Sequence, residues 1–244
     1  MKAIVLRLDA PLVSFGAPMV DQNGVVQTFP GLSMLVGLLA NALGWDRREC
    51  ERLDALQERL RFAARVDRRG EALVDYQTVD LGASWMRPET AGWTTRGHIA
   101  KRGGASAELT HQRYRHYRAD SVHTVALTVI GDEQPSLDDL ARALHEPVRP
   151  LFIGRKCCLP ASPIFMNTAE GDSLLSVLAA LPRSPRGDDG PLPATWWEGD
   201  PSAAAAGESR VVAVSDERDW RNSIHVGRRL MREGHVDPPA NAHG

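Results

Sequence analysis

An α+β fold of the ferredoxin-like βαββαβ type is predicted by three features of the sequence. Short apolar runs and stretches of helical period alternate in the order β, α, β, a long insertion, β, α, β. Gly, Pro and Asn punctuate the joins between them. The insertion, residues 82–120, is too long for an ordinary connection and holds little that a core could bury.

Residues 3–8 (AIVLRL) predict a buried first strand. From 32 to 43, Met34, Leu35, Leu38, Leu39, Ala42 and Leu43 fall on one helical face, with Ser33 as the N-cap and Gly44 as the stop. Gly37 inside that helix costs about 1 kcal/mol against Ala, which predicts close approach of the helix to the sheet. A second amphipathic helix carries Cys50, Leu53, Leu56 and Leu60. Strands are expected at 61–66 and 72–81, with Arg68-Arg69-Gly70 as the turn between them. SVHTVALTVI (121–130) is the strongest strand signal, Ser136 opens a helix bearing Leu137, Leu140, Ala141 and Leu144, and RPLFIGRK (149–156) is expected as the last core strand.

Residues 1–156 are therefore read as the ferredoxin-like domain, with 82–120 as a projecting β-hairpin arm. Residues 157–244 are read as a small, degenerate C-terminal β lobe. Within it a helix is expected at 172–181, a mobile low-complexity loop at 182–208, a strand at 210–220 and a frayed tail at 234–244.

Composition excludes several classes. Hydrophobic residues make up 43% and charged residues 25%, the balance of a chain that buries a core. No run approaches the roughly 18 apolar residues of a membrane span, and the first thirteen residues do not read as a secretory signal, so a cytoplasmic protein without a membrane partner is expected. Three cysteines, Cys50 and the adjacent Cys157 and Cys158, fit neither a disulfide framework nor a zinc site. No metal or other cofactor is expected. Asp188 and Asp189 lack neighbouring ligands, the cysteine pair is expected to fill space, and His123 is expected as a partly buried strand residue. Trp196, Trp197 and Trp220 suit either a partner surface or a buried core.

The formal net charge of −2 excludes a globally basic nucleic-acid binder, yet the charge is unevenly distributed. Residues 82–120 carry Arg87, Arg96, Lys101, Arg102, Arg113, Arg115 and Arg118 against only Glu89, Glu108 and Asp120. Trp85, Trp93, Tyr114 and Tyr117 lie among them, and charge mixed with aromatic rings is what single-stranded nucleic acid requires. As a strand, 111–118 sets His111, Arg113, Arg115 and Tyr117 on one face and Gln112, Tyr114, His116 and Arg118 on the other. His111 and His116 therefore face apart, and cannot flank one phosphate as general base and acid without a bulge. Arg155 and Lys156, after Gly154, suggest a backbone-phosphate contact.

The ordered segments LRLDAPLVSFG, LVGLLANALGWDR, LVDYQTVDLG, HQRYRHYRADSVHTVAL and PLFIGRKCCLPASPIF, spanning about residues 4–165, resemble the CasD family of type I-E Cascade subunits, members of the RAMP superfamily with an RRM-like ferredoxin fold. The resemblance implies a non-catalytic CRISPR RNA-binding subunit, which caps the 5′ repeat-derived tag and inserts a β-hairpin thumb, here 82–120, at the tag-to-spacer boundary. It implies a Cascade large subunit and a backbone subunit as partners, with target DNA met indirectly or at the tag-proximal end. In Pro30-Gly31-Leu32-Ser33, Gly31 and Leu32 stand where relatives carry a Thr and a basic residue, so a phosphate contact there falls to Ser33 and the helix N-terminus. RNA-binding candidates are thus Ser33, Arg47, Arg96, Lys101, Arg102, His111, Arg113, Tyr114, Arg115, Tyr117, Arg118, Arg155 and Lys156. The alternative is a metal-independent endoribonuclease that processes precursor RNA, as in the type I-C sister branch.

Overall fold

The computed structural model describes residues 1–240 except 20, 81–90, 94–98, 102–109, 198 and 201–207. Its elements are β1 (Lys2–Val13), β2 (Asn23–Gly24), α1 (Leu32–Ala42), α2 (Cys50–Arg59), β3 (Leu60–Arg68), β4 (Glu71–Asp80), β5 (Ala91–Trp93), β6 (Ile99–Lys101) and β7 (Thr110–Val129). There follow α3 (Leu137–His145), β8 (Phe165–Glu170), α4 (Leu174–Ala180), β9 (Leu192–Trp197), β10 (Arg210–Val214), β11 (Glu217–Asp219), β12 (Ile224–Val226) and β13 (Arg229–Val236).

The fold is α+β. A mainly antiparallel sheet runs β10-β13-β9-β3-β7-β1-β8, with β2 and β4 also paired to β7. β1 sits inside this sheet because both its faces are apolar. Ile4, Leu6 and Leu8 join the cluster that buries Leu35 and Leu39 of α1, Leu53 and Leu56 of α2, and Leu140 and Leu144 of α3. Ala3 and Val5 pack on the opposite face with Leu174, Val177 and Leu178 of α4. α3 starts with a reciprocal capping box between Ser136 and Asp139.

Beneath α4 lies a buried charge pair. The guanidinium of Arg65 donates to Asp67 and to the carbonyls of Leu178, Leu181 and Pro182. It thereby satisfies the orphan carbonyls where α4 ends, at the end of the helix dipole that favours a cation. Asp67 also accepts from Thr124 Oγ1 and from the Ser184 amide.

Several expectations need correction. Arg68-Arg69-Gly70 is not a hairpin turn: β3 pairs with 122–129 of β7 and β4 with 110–119, so the two lie in line along one long partner. The ladder kinks where Gly70 (φ +60°) faces Asp120 (φ +55°), and a Cβ on Gly70 would stand 2.2 Å from Ala119 O. RPLFIGRK is not a strand. Ile153 is buried, but its amide donates to Cys158 O and its carbonyl accepts from Ser14 N, and Gly154 (φ +89°) presses against Ser14, so the segment turns over the sheet as a loop. The sheet edge beside β1 is instead β8.

The segment 182–208, expected as a mobile loop, contains β9, which pairs with both β3 and β13. Gly234–Val236, expected in the frayed tail, belongs to β13. Trp196 and Trp220 are buried, which selects core over partner surface for both, while Trp197 is half-buried beneath Arg61.

Gly37 faces Trp220, whose ring would lie 3.8 Å from an added Cβ, rather than the sheet. That distance is ordinary van der Waals contact. Gly37→Ala should therefore stabilise the chain by about 0.5–1 kcal/mol through helix propensity and loss of unfolded-state freedom. A raised urea midpoint at unchanged m-value checks this.

Candidate nucleic-acid interface

The arm is a two-stranded ladder whose register is regular from Glu71↔Ala119 to Asp80↔Thr110. β1 leaves β7 at Arg118, and beyond it, among the described residues, only β4 and the short parallel β2 flank β7. One face presents Val79, His111, Gln77, Arg113, Asp75 and Arg115. The other presents Thr78, Gln112, Tyr76, Tyr114, Val74 and His116. Tyr76, 52% exposed, and Tyr114 lie with ring centroids 5.0 Å apart and planes at 30°, forming an aromatic platform. Arg113 donates to Asp21 O, while Arg115 and Arg118 make no ion pair among the described residues.

His111 lies opposite Val79 and His116 opposite Val74, on different faces of an unbroken ladder. No bulge between 110 and 119 turns them toward a common phosphate.

The base of the arm is riveted. Arg155 donates to His116 O at 2.7 Å and to Gly24 O at 3.1 Å, and its guanidinium lies 4.7 Å from the centre of the Tyr117 ring. It ties its own loop to β7 and β2 through these two carbonyls, which is a structural role. Tyr117 departs from expectation. It is 4% exposed, packed in the core with its hydroxyl 3.6 Å from Cys157 Sγ, and burial raises its pKa. A base cannot stack on a ring so enclosed.

A further correction concerns the start of α1. The N-cap is Gly31, not Ser33. Glycine offers no side-chain acceptor, and the acceptor arrives from far along the chain: Asp216 Oδ2 accepts from Leu32 N at 2.8 Å, and Asp216 O accepts from Ser33 N at 3.0 Å. Arg229 donates to both carboxylate oxygens of Asp216, which is fully buried. An anion is favoured at a helix N-terminus, and here the chain's own carboxylate supplies one.

Arg47 is exposed in the loop after α1 and donates to Ser223 Oγ; Lys156 is exposed beside Arg155. Lys101 ends β6, where its backbone pairs with Ala91. Arg96 and Arg102 lie outside the described residues.

The model of the CRISPR-associated protein (Cas_Cas5) family matches residues 3–232. The chain belongs to the Cas5 family. It is 29% identical over 167 residues to the CRISPR system Cascade subunit CasD of Escherichia coli strain K12, covering 68% of this chain and 71% of that protein. A solved CRISPR RNA-guided surveillance complex contains a chain that superposes with TM-score 0.68 at 25% identity, covering 98% of this chain and 91% of that one. A crystal structure of a Cas protein superposes with TM-score 0.63 at 25% identity, over 98% of each chain.

Two features of this Cas5-family chain escaped the sequence. Tyr76 was hidden in a segment expected to be an ordinary strand, and only the ladder register pairs it with Tyr114. Asp216 carries no local signal at all. Among the described residues no cluster of His, Cys, Asp or Glu could hold a metal ion, and no helix is long and apolar enough to cross a membrane. Burial raises the Cys158 thiol to about 11, which makes it inert, whereas Cys157 is exposed.

Proposed function

We propose that this Cas5-family chain is a CRISPR RNA-binding subunit of a Cascade-type complex that holds the 5′ repeat-derived tag without cutting it. The β4–β7 arm carries the reading. It joins arginines on one face to an exposed Tyr76 paired with a half-buried Tyr114 on the other, the combination that grips phosphate and stacks bases without sequence preference. Further support comes from the ferredoxin-like reading of the sheet. β1, β3, β7 and β8 are taken as its four strands, in the spatial order β3-β7-β1-β8, with α1 and α2 following the first and α3 the third. The large subunit and a backbone subunit are the proposed protein partners, target DNA is met only indirectly or at the tag-proximal end, and the proposed compartment is the cytoplasm. The opposed faces of His111 and His116 favour capture over cleavage.

Binding of tag RNA should weaken linearly in log–log terms with salt, by about 0.7 per phosphate neutralised. Replacing Arg113 and Arg115 together by Ala should weaken binding and reduce that slope by about 1.4 if each meets one phosphate. An unchanged slope would remove the arm from the RNA site. Incubation of the chain with repeat RNA in EDTA should yield no 2′,3′-cyclic phosphate end.

A further inference from the structure

Beyond the arm, a cavity of about 600 Å³ opens between the loop before α1, the end of β3, β9 and β13. Its volume is that of a small-molecule site. Phe29, Val66 and Pro193 give it apolar walls, and Arg69 and Arg118 stand at its edge with no ion pair among the described residues. Arg210 is engaged by Glu233, so those two arginines are the cations left to meet an anion. Thr195 also lines the cavity. It is 7% exposed, yet its Oγ1 has no hydrogen-bond partner. A buried hydroxyl without a partner costs about 1–3 kcal/mol, which a ligand that bonds it would recover.

We propose that this cavity is a nucleotide pocket that takes one nucleoside 5′-monophosphate unit. Its phosphate lies on Arg69 and Arg118, its flat base lies against the half-buried Val66 and Pro193, and a polar atom of the sugar or base bonds Thr195 Oγ1. Glu208 and Glu233 supply acceptors for a base amino group, which selects adenine or cytosine over uracil. Preference for a nucleotide over other phosphorylated molecules rests on the RNA-binding reading, since Arg118 continues the strand that forms the arm. The unit can come from the RNA strand or from solution, and the chemistry recognised is the same.

The test uses the full chain, titrated calorimetrically with 5′-AMP, 5′-CMP and inorganic phosphate. The mononucleotides should bind more tightly than phosphate. Arg69→Ala should weaken them about tenfold and Thr195→Val about fivefold, the losses expected for a charged and a neutral hydrogen bond. Thr195→Val is near-isosteric and removes a hydroxyl with no protein partner, so its thermal midpoint should not fall. Phosphate binding as tight as 5′-AMP, mononucleotide affinity untouched by both substitutions, or no binding at millimolar 5′-AMP would each overturn the pocket. The Arg113→Ala/Arg115→Ala chain separates the two sites: it should lose tag RNA while keeping 5′-AMP. An 8-azidoadenosine-labelled tag RNA that crosslinks to the cavity wall around Thr195 identifies a strand nucleotide as occupant. Binding of 5′-AMP that both substitutions weaken, without that crosslink, identifies a free nucleotide, and either result supports the pocket.

Discussion

Asp216→Ala is expected to lower the folding free energy by about 3–5 kcal/mol, the cost of breaking a buried charge pair by removing one partner. The carboxylate bonds Leu32 N at the start of α1 and receives two guanidinium bonds from Arg229. Without it the first amide of α1 is orphaned, and a largely buried cation, whose side chain is 17% exposed, loses its counter-charge. Asp216→Asn keeps an oxygen for the amide and should lose less. Urea unfolding of the three chains checks the order. If Asp216→Ala were as stable as the parent, the carboxylate would not be what holds the start of α1.

The second large effect is a loss of stability in mild acid. His123 is fully buried, its ring edge-on to Phe15 at 4.8 Å and its Nε2 donating to Thr28 O at 3.1 Å. Nδ1 has no partner, and burial lowers the pKa from 6.5 to about 4. Below pH 6.5 the unfolded chain therefore binds a proton that the folded chain refuses. This contribution is fully present above pH 6.5 and is lost as pH falls toward 4, by about 3 kcal/mol. His123→Gln keeps a donor for Thr28 and removes the titration. Urea midpoints between pH 7 and 4.5 should fall steeply for the parent and less for the variant; equal slopes would assign the effect elsewhere.

Helices α1, α2 and α3 were legible in the sequence because their apolar residues recur at helical spacing, and Ser136 and Gly44 mark ends by local chemistry. β8 and β9 were not. β8 (FMNTAE) is half polar and mostly exposed, and joins the sheet through backbone pairing with β1. β9 begins beside a Gly- and Pro-rich stretch that reads as a loop, and its place depends on Trp196 filling the space beneath α4, a tertiary fact.

At the candidate site, the alternation of His111–Arg118 was visible but its depth was not. The same strand exposes Arg115 and buries Tyr117. Arg155 was recognised as basic, yet its reach to His116 and Gly24 depends on a loop that the sequence reads as a strand. The helix N-terminus was recognised as an anion site, and it is one, but the anion comes from a residue 184 positions away.

The most direct measurement is photo-crosslinking within an assembled complex, with 4-thiouridine placed at successive positions of the CRISPR RNA tag. Capture by the arm predicts crosslinks to Tyr76 and Tyr114 from the tag-to-spacer boundary, lost together with assembly in the Arg113→Ala/Arg115→Ala chain. Crosslinks confined to other subunits, with the β4–β7 arm open to protease in the assembled complex, would contradict it.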